Sequence, residues 1–188
     1  MIAGHFGFAA AVKAKERTTP LWTLMLACVW LDVIFLPLFA AGIEKIVMIP
    51  GAKDGAYGDG VIYADYTHSL VGALVLSALL GLALGARYGK RSGVVIGLVA
   101  MSHWVLDLVM HRQDMPILPG NAGDLPRLGF GLWRSHAASA ALELAIVMIG
   151  SWLYWRAARE VDAKRGNTAG LVVAASGVVV LALSVAGI

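Results

Sequence analysis

Residues 102–114 read Ser-His-Trp-Val-Leu-Asp-Leu-Val-Met-His-Arg-Gln-Asp. His103, Asp107 and His111 are spaced four apart at the end of an apolar segment. On a helix that spacing stacks them along one face, with about 6 Å of rise between neighbours. All three are metal-ligand types, and ionisable groups on a membrane helix are costly and mark function. A bound metal is therefore the leading expectation. A buried, hydrogen-bonded polar ladder between helices is the alternative. Histidine and carboxylate ligands without cysteine suit zinc or another divalent first-row metal. An ion held by few protein groups keeps a position for water and can make hydroxide near neutral pH.

The elements that must position these residues are membrane helices. Of the 188 residues, 59% are hydrophobic and 14% charged, and the mean hydropathy is +0.76. That is a membrane composition. The expected fold is all-α: a polytopic bundle of about five transmembrane helices plus a short N-terminal half-helix, in one integral membrane domain over residues 1–188. The spans are expected at residues 21–43, 67–86, 92–111, 132–155 and 168–188. Pro37 is expected to kink the first. Ser77, Gly81 and Gly85 recur every four residues in the second, which suits close helix packing. Residues 44–66 and 112–131 read as long loops, the first able to fold over the bundle mouth, and 156–167 as a basic polar loop. The fifth span has no ionisable side chain and is expected to pack or anchor against lipid.

Charge sets the orientation. The N-terminal segment and the loops after spans two and four carry ten Lys and Arg, against five on the other side. The basic side is expected in the cytoplasm, with the N-terminus there and the C-terminus outside. The net charge of +3 is explained by these loops, so no nucleic-acid partner is expected. Cys28 is the one cysteine, so no intramolecular disulfide forms. No cleavable signal peptide is expected, because Lys13, Lys15 and Arg17 follow the apolar start rather than precede it.

With this topology, separate segments bring ionisable groups to the outer half of one bundle. His111 lies at the outer surface and His103 about 12 Å deeper. His68 starts the second span, Asp32 sits mid-way along the first, and Glu143 lies within the fourth beyond His136. Asp32 and Glu143 are candidates for ligand, metal bridge or general base. Arg112 and Arg134 flank the mouth and could hold a phosphate or carboxylate. Anchoring at the interface beside Trp133 explains those arginines equally well.

The same residues resemble a known family. Gly4-His5-Phe-Gly, Asp32, Thr67-His68-Ser69, the run from Ser102 to Pro116, Gly131-Leu-Trp133 and Glu143 are similar to bacterial inner-membrane proteins described as membrane-bound metal-dependent hydrolases. That group has been likened to zinc-dependent phospholipase C. The resemblance covers most of residues 1–155. It implies a metal role for His5, His68, His103, Asp107 and His111, and extends that role to Asp32 and Glu143. His136 is outside the pattern, and a second His-x-x-x-Glu pair, expected of the soluble phospholipases, is missing. For His5 to join the others, residues 2–12 must rise into the bundle as a half-helix. The alternative is an amphipathic segment on the membrane surface.

The expected activity is hydrolysis of an ester or phosphoester, lipid included, by a metal-activated water in the bacterial inner membrane. The alternative is an accessory subunit of a larger membrane complex, with the cluster as a structural metal or proton-relay site. A transporter is disfavoured, because no inverted repeat is visible.

Overall fold

A computed structural model describes residues 1–52 and 56–187. Lys53, one of the five Lys and Arg counted above on the other side, lies outside the described residues. The helices are α1 (Ile2–Lys15), α2 (Leu21–Ala27), α3 (Trp30–Ala40), α4 (Leu70–Tyr88), α5 (Lys90–Met110), α6 (His136–Val161) and α7 (Ala163–Ala186). Among the described residues, α4 to α7 are long and apolar enough to cross a membrane, and the bent pair α2–α3 is a fifth candidate. The fold is the all-α membrane bundle expected.

The N-terminal segment is a half-helix buried in the bundle, not a surface one. At about 1.5 Å per residue, α1 is too short to cross about 30 Å of hydrocarbon. It runs from the level of Met110 and Trp133, where Met1 packs, to the basic end of the bundle. There Arg17 pairs with Glu160, and Glu16 pairs with Arg91. Gly7 lets α1 lie directly on α6. A Cβ on Gly7 would meet the Ile146 carbonyl at 2.7 Å, and one on Gly150 would collide with the backbone of Gly7.

The first span breaks, but not at Pro37. The chain bends by 48° between α2 and α3, at Cys28 and Val29, where Val29 leaves the helical region (φ −120°, ψ 14°). Pro37 sits inside α3. The cause lies across the bundle: the Cys28 carbonyl accepts a hydrogen bond from His103 Nδ1 at 2.8 Å. A carbonyl spent on a side chain is lost to the helix ladder, and broken membrane helices commonly expose backbone this way.

Helices α4 and α5 pack through glycine, as the four-residue repeat suggests. A Cβ on Gly81 would lie 2.7 Å from the Gly93 carbonyl, and one on Gly85 3.0 Å from Gly93 Cα. The expected basic loop after span four is almost wholly helical. Asp162 alone separates α6 from α7, and its side chain caps α7 by accepting from the Arg165 N–H at 2.9 Å. Charged residues such as Arg, Glu and Lys are good helix formers, so polarity alone did not end α6.

The loop over residues 44–66 holds a two-stranded antiparallel sheet, β1 (Lys45–Met48) with β2 (Gly60–Tyr63). The second long loop is strapped over the start of α4. Leu70 and Val71 donate to the carbonyls of Pro116 and Ile117. Arg127 forks onto Asp65 at 2.7 and 3.0 Å.

Replacing Gly81 by Val should separate α4 from α5 and cost about 1–3 kcal/mol, the range for overpacking a tight contact. Leu82→Ala, on the exposed side of α4, should change stability by less than about 0.5 kcal/mol. Thermal melts of both variants in detergent check this.

Candidate metal centre

The four-residue spacing on α5 places His103 and Asp107 side by side, with His103 Nε2 3.1 Å from Asp107 Oδ2. His111 caps the helix, and its Nε2 lies 3.6 Å from the same oxygen. His68, just before the Ser69 cap of α4, brings Nε2 to 3.2 Å from His103 Nε2 and 3.7 Å from Asp107 Oδ2. From α3, Asp32 Oδ1 lies 3.6 Å from both of those ring nitrogens. From α1, the His5 ring stacks on His103 at 3.8 Å, with Nε2 3.1 Å from Asp107 Oδ1. The Met1 backbone nitrogen is 3.8 Å from that oxygen. Four elements or their ends, α1, α3, α4 and α5, thus converge, and every member except Asp32 is buried.

The outer hydrogen bonds decide which way the imidazoles face. His103 Nδ1 donates to the Cys28 carbonyl. His111 Nδ1 donates to Asp114 Oδ1 at 2.9 Å, and Asp114 Oδ2 is held by the Ile62 N–H. His68 Nδ1 meets the Thr67 hydroxyl at 2.9 Å. That hydroxyl gives its one proton to Glu44 Oε2, so it accepts from His68. Glu44 is itself fixed by the N–H groups of Tyr66 and Thr67. All three rings therefore carry hydrogen on the outward nitrogen and turn Nε2 inward, where a neutral ring offers a lone pair. Outward hydrogen bonds of this kind orient metal-ligating histidines.

With every ring neutral, the His68 and His103 Nε2 lone pairs would repel at 3.2 Å, and two carboxylates beside neutral imidazoles leave negative charge poorly solvated. A proton shared between the rings, or a cation held by them, relieves both. The donor spacing fits a cation: bonds of about 2.0–2.1 Å in a tetrahedral arrangement put ligand atoms about 3.4 Å apart. Five of the six pairs among His68, His103, Asp107 and Asp32, all but Asp32–Asp107, run from 3.1 to 3.7 Å. Two overlapping donor groups exist, His5/His103/Asp107 and Asp32/His68/His103. They share the one inward nitrogen of His103, so they compete for the same ion.

Other expected site residues lie outside this cluster. The Glu143 oxygens are taken by the Gly4 N–H at 3.1 Å and the Tyr57 hydroxyl at 2.6 Å. Burial, then the Glu143 carboxylate, push the Tyr57 phenol up, which keeps it a donor. Glu143 thus holds the first turn of α1, which carries His5. Arg112 donates to the Gly58 carbonyl and lies 3.8 Å from Asp59. Arg134 is exposed. His136 is exposed and pairs with Asp59 at 2.9 Å. Glu44, Thr67 and Asp114 carry outer-sphere roles that spacing did not assign. Glu44 gave one signal: an acid at the end of an apolar span, free to satisfy the turn that follows.

Fold and site together define an all-α, multi-pass membrane protein with a buried His/Asp cluster where its helices end. No known protein family, curated protein or solved structure matches the chain.

Metal binding at this cluster needs neutral imidazoles and ionised carboxylates, so it must release protons and weaken as pH falls. Zinc should raise the melting temperature in detergent, and more at pH 8 than at pH 5.5. Asp107→Asn should lose most of that shift while the apo fold survives, and His136→Ala should keep it. No zinc-dependent shift at pH 8, or an equal shift for Asp107→Asn, would make Asp107 a structural polar residue.

Proposed function

We propose that the protein is a membrane-embedded, metal-dependent hydrolase acting on an ester or phosphoester. The observation that supports this most is the inward turn of the His68, His103 and His111 Nε2 atoms around Asp107 Oδ2. His68, His103 and Asp107 would hold a divalent metal, zinc by donor chemistry. Such an ion would supply polarisation of an ester or phosphoester oxygen and a water whose pKa is lowered toward neutrality. Thr67, Cys28 and Asp114 fix the ring orientations, so these residues need no rearrangement to bind. His5 donates to Asp107 Oδ1 and keeps that carboxylate aimed. Asp32 is the half-open member, and its Oδ1 is positioned to take a proton from water as general base. The resemblance in the His-Trp-x-x-Asp-x-x-x-His-Arg core supports the same assignment.

An accessory subunit with a closed structural metal is the second reading. Asp32 Oδ1 favours it, lying close enough to both ring nitrogens to complete a four-ligand site. Asp32→Asn separates the two. For a hydrolase, zinc content stays near wild type, and cleavage of a nitrophenyl ester or bis(nitrophenyl) phosphate falls about 10²–10⁴-fold, the range for losing a general base. For a structural site, zinc is lost with Asp32, and wild type cleaves neither probe.

The proposed setting is the bacterial inner membrane, with the end bearing Lys13, Lys15, Arg91 and Lys164 in the cytoplasm. In a Cys28→Ala background, Arg165→Cys should react with an impermeant thiol reagent only from the cytoplasmic side. Ala122→Cys should react only from the opposite side. Labelling of both from one side sinks this topology.

A further inference from the structure

The cluster is covered on its loop side and accessible at Asp32. On the loop side, the Trp133 ring lies 4.4 Å from His111, and Asp114 is tied to β2 through Ile62. His111, Asp114 and Trp133 are all buried. Asp32 is the exception in the cluster: 35% of its side chain is accessible. The residues that follow Asp32 on its face of α3 are Phe35, which is buried edge-on against His68, then Leu36, 62% exposed, and Phe39, 44% exposed. A half-exposed carboxylate bordered by apolar side chains in a membrane bundle is costly unless something polar meets it. Water would have to cross that apolar border, whereas a lipid presents a polar group and apolar chains together.

Depth agrees with this. His68 directly precedes the cap of α4, and His111 is the cap of α5. The cluster therefore lies where two spans end, at the level of lipid ester and phosphate groups rather than chain termini. Asp32 Oδ1, 3.6 Å from His68 Nε2, shares that level. A larger apolar groove, about 780 Å³, runs along α4 and α5 past Gly81 and Gly97, but no cluster residue lines it.

We infer that the site is reached sideways from the bilayer, through an opening beside Asp32 and Leu36, and takes a membrane lipid by its ester or phosphoester group. This rests on the hydrolase proposal for its chemistry but not for its geometry. Leu36 borders the path and Phe39 lies along the acyl chains; neither touches the reacting bond.

The test uses the full chain reconstituted, with zinc, in phosphatidylcholine and phosphatidylglycerol vesicles. These contain a trace of phosphatidylcholine with a photoreactive head group. Cross-linked peptides and zinc content are both read by mass spectrometry. Wild type should be labelled in the segment around Asp32 and Leu36. Leu36→Trp, which fills the opening, should lose that label and keep its zinc. Leu36→Ala, which widens the opening, should gain label and guards against a misfolded Trp variant. Leu82→Trp, on the exposed face of α4, should behave as wild type. Labelling confined to the loops, or unchanged in Leu36→Trp and Leu36→Ala, overturns lateral access whether or not zinc is bound. Labelling at Asp32 without zinc uptake keeps the lateral opening and removes the metal chemistry instead.

Discussion

The bundle is organised by the cost of keeping Asp107 away from water. An uncompensated buried carboxylate is penalised by several kcal/mol, so partners must come to it. They come from four other places in the chain: His5 on α1, Asp32 on α3, His68 before α4 and His111 at the end of α5. Each imposes geometry on its own element. The His103 ring, next to Asp107, takes the Cys28 carbonyl and so breaks the first span. His111 takes Asp114 and draws the β-hairpin over the site. His5 requires a helix that starts inside the bundle rather than at its surface.

Outside this cluster the packing depends on closeness more than on bulk. Gly81, Gly85, Gly93 and Gly97 bring α4 and α5 into backbone contact, and Gly7 with Gly150 does the same for α1 and α6. Lipid competes well for large apolar side chains, so membrane helices gain from close van der Waals contact. That tightness fixes the depth of α5 against α4, and with it the separation of His103 from His68. A slip of one turn, about 5.4 Å, would carry the two nitrogens out of reach.

Much of this was legible in the residues. The His103/Asp107/His111 spacing announced a single polar face, and Ser77/Gly81/Gly85 announced a helix contact. The five apolar runs located the spans to within a few residues at most ends. The break at Cys28 was not legible, because its cause is a histidine 75 residues away, whereas Pro37 offered a local reason for a kink. The hairpin hid in plain view: Lys45-Ile-Val-Met and Gly60-Val-Ile-Tyr are short β-branched runs, obscured by the glycines and acids between them. Glu143 stands apart from the cluster, and its oxygens hold the α1 terminus and Tyr57.

The seat of α1 also constrains how the protein is made. Gly4 bonds to Glu143 across 139 residues of chain, and Gly7 rests against Ile146, Val147 and Gly150. Synthesis runs from the N-terminus, so α1 is made before its binding face exists. A helix of 14 residues is too short to span the bilayer alone. Its final seat can form only once α6 is in place. His5 therefore reaches the cluster only after α6 has been made. A chain arrested before α6 would have every other histidine of the cluster and still lack a closed site.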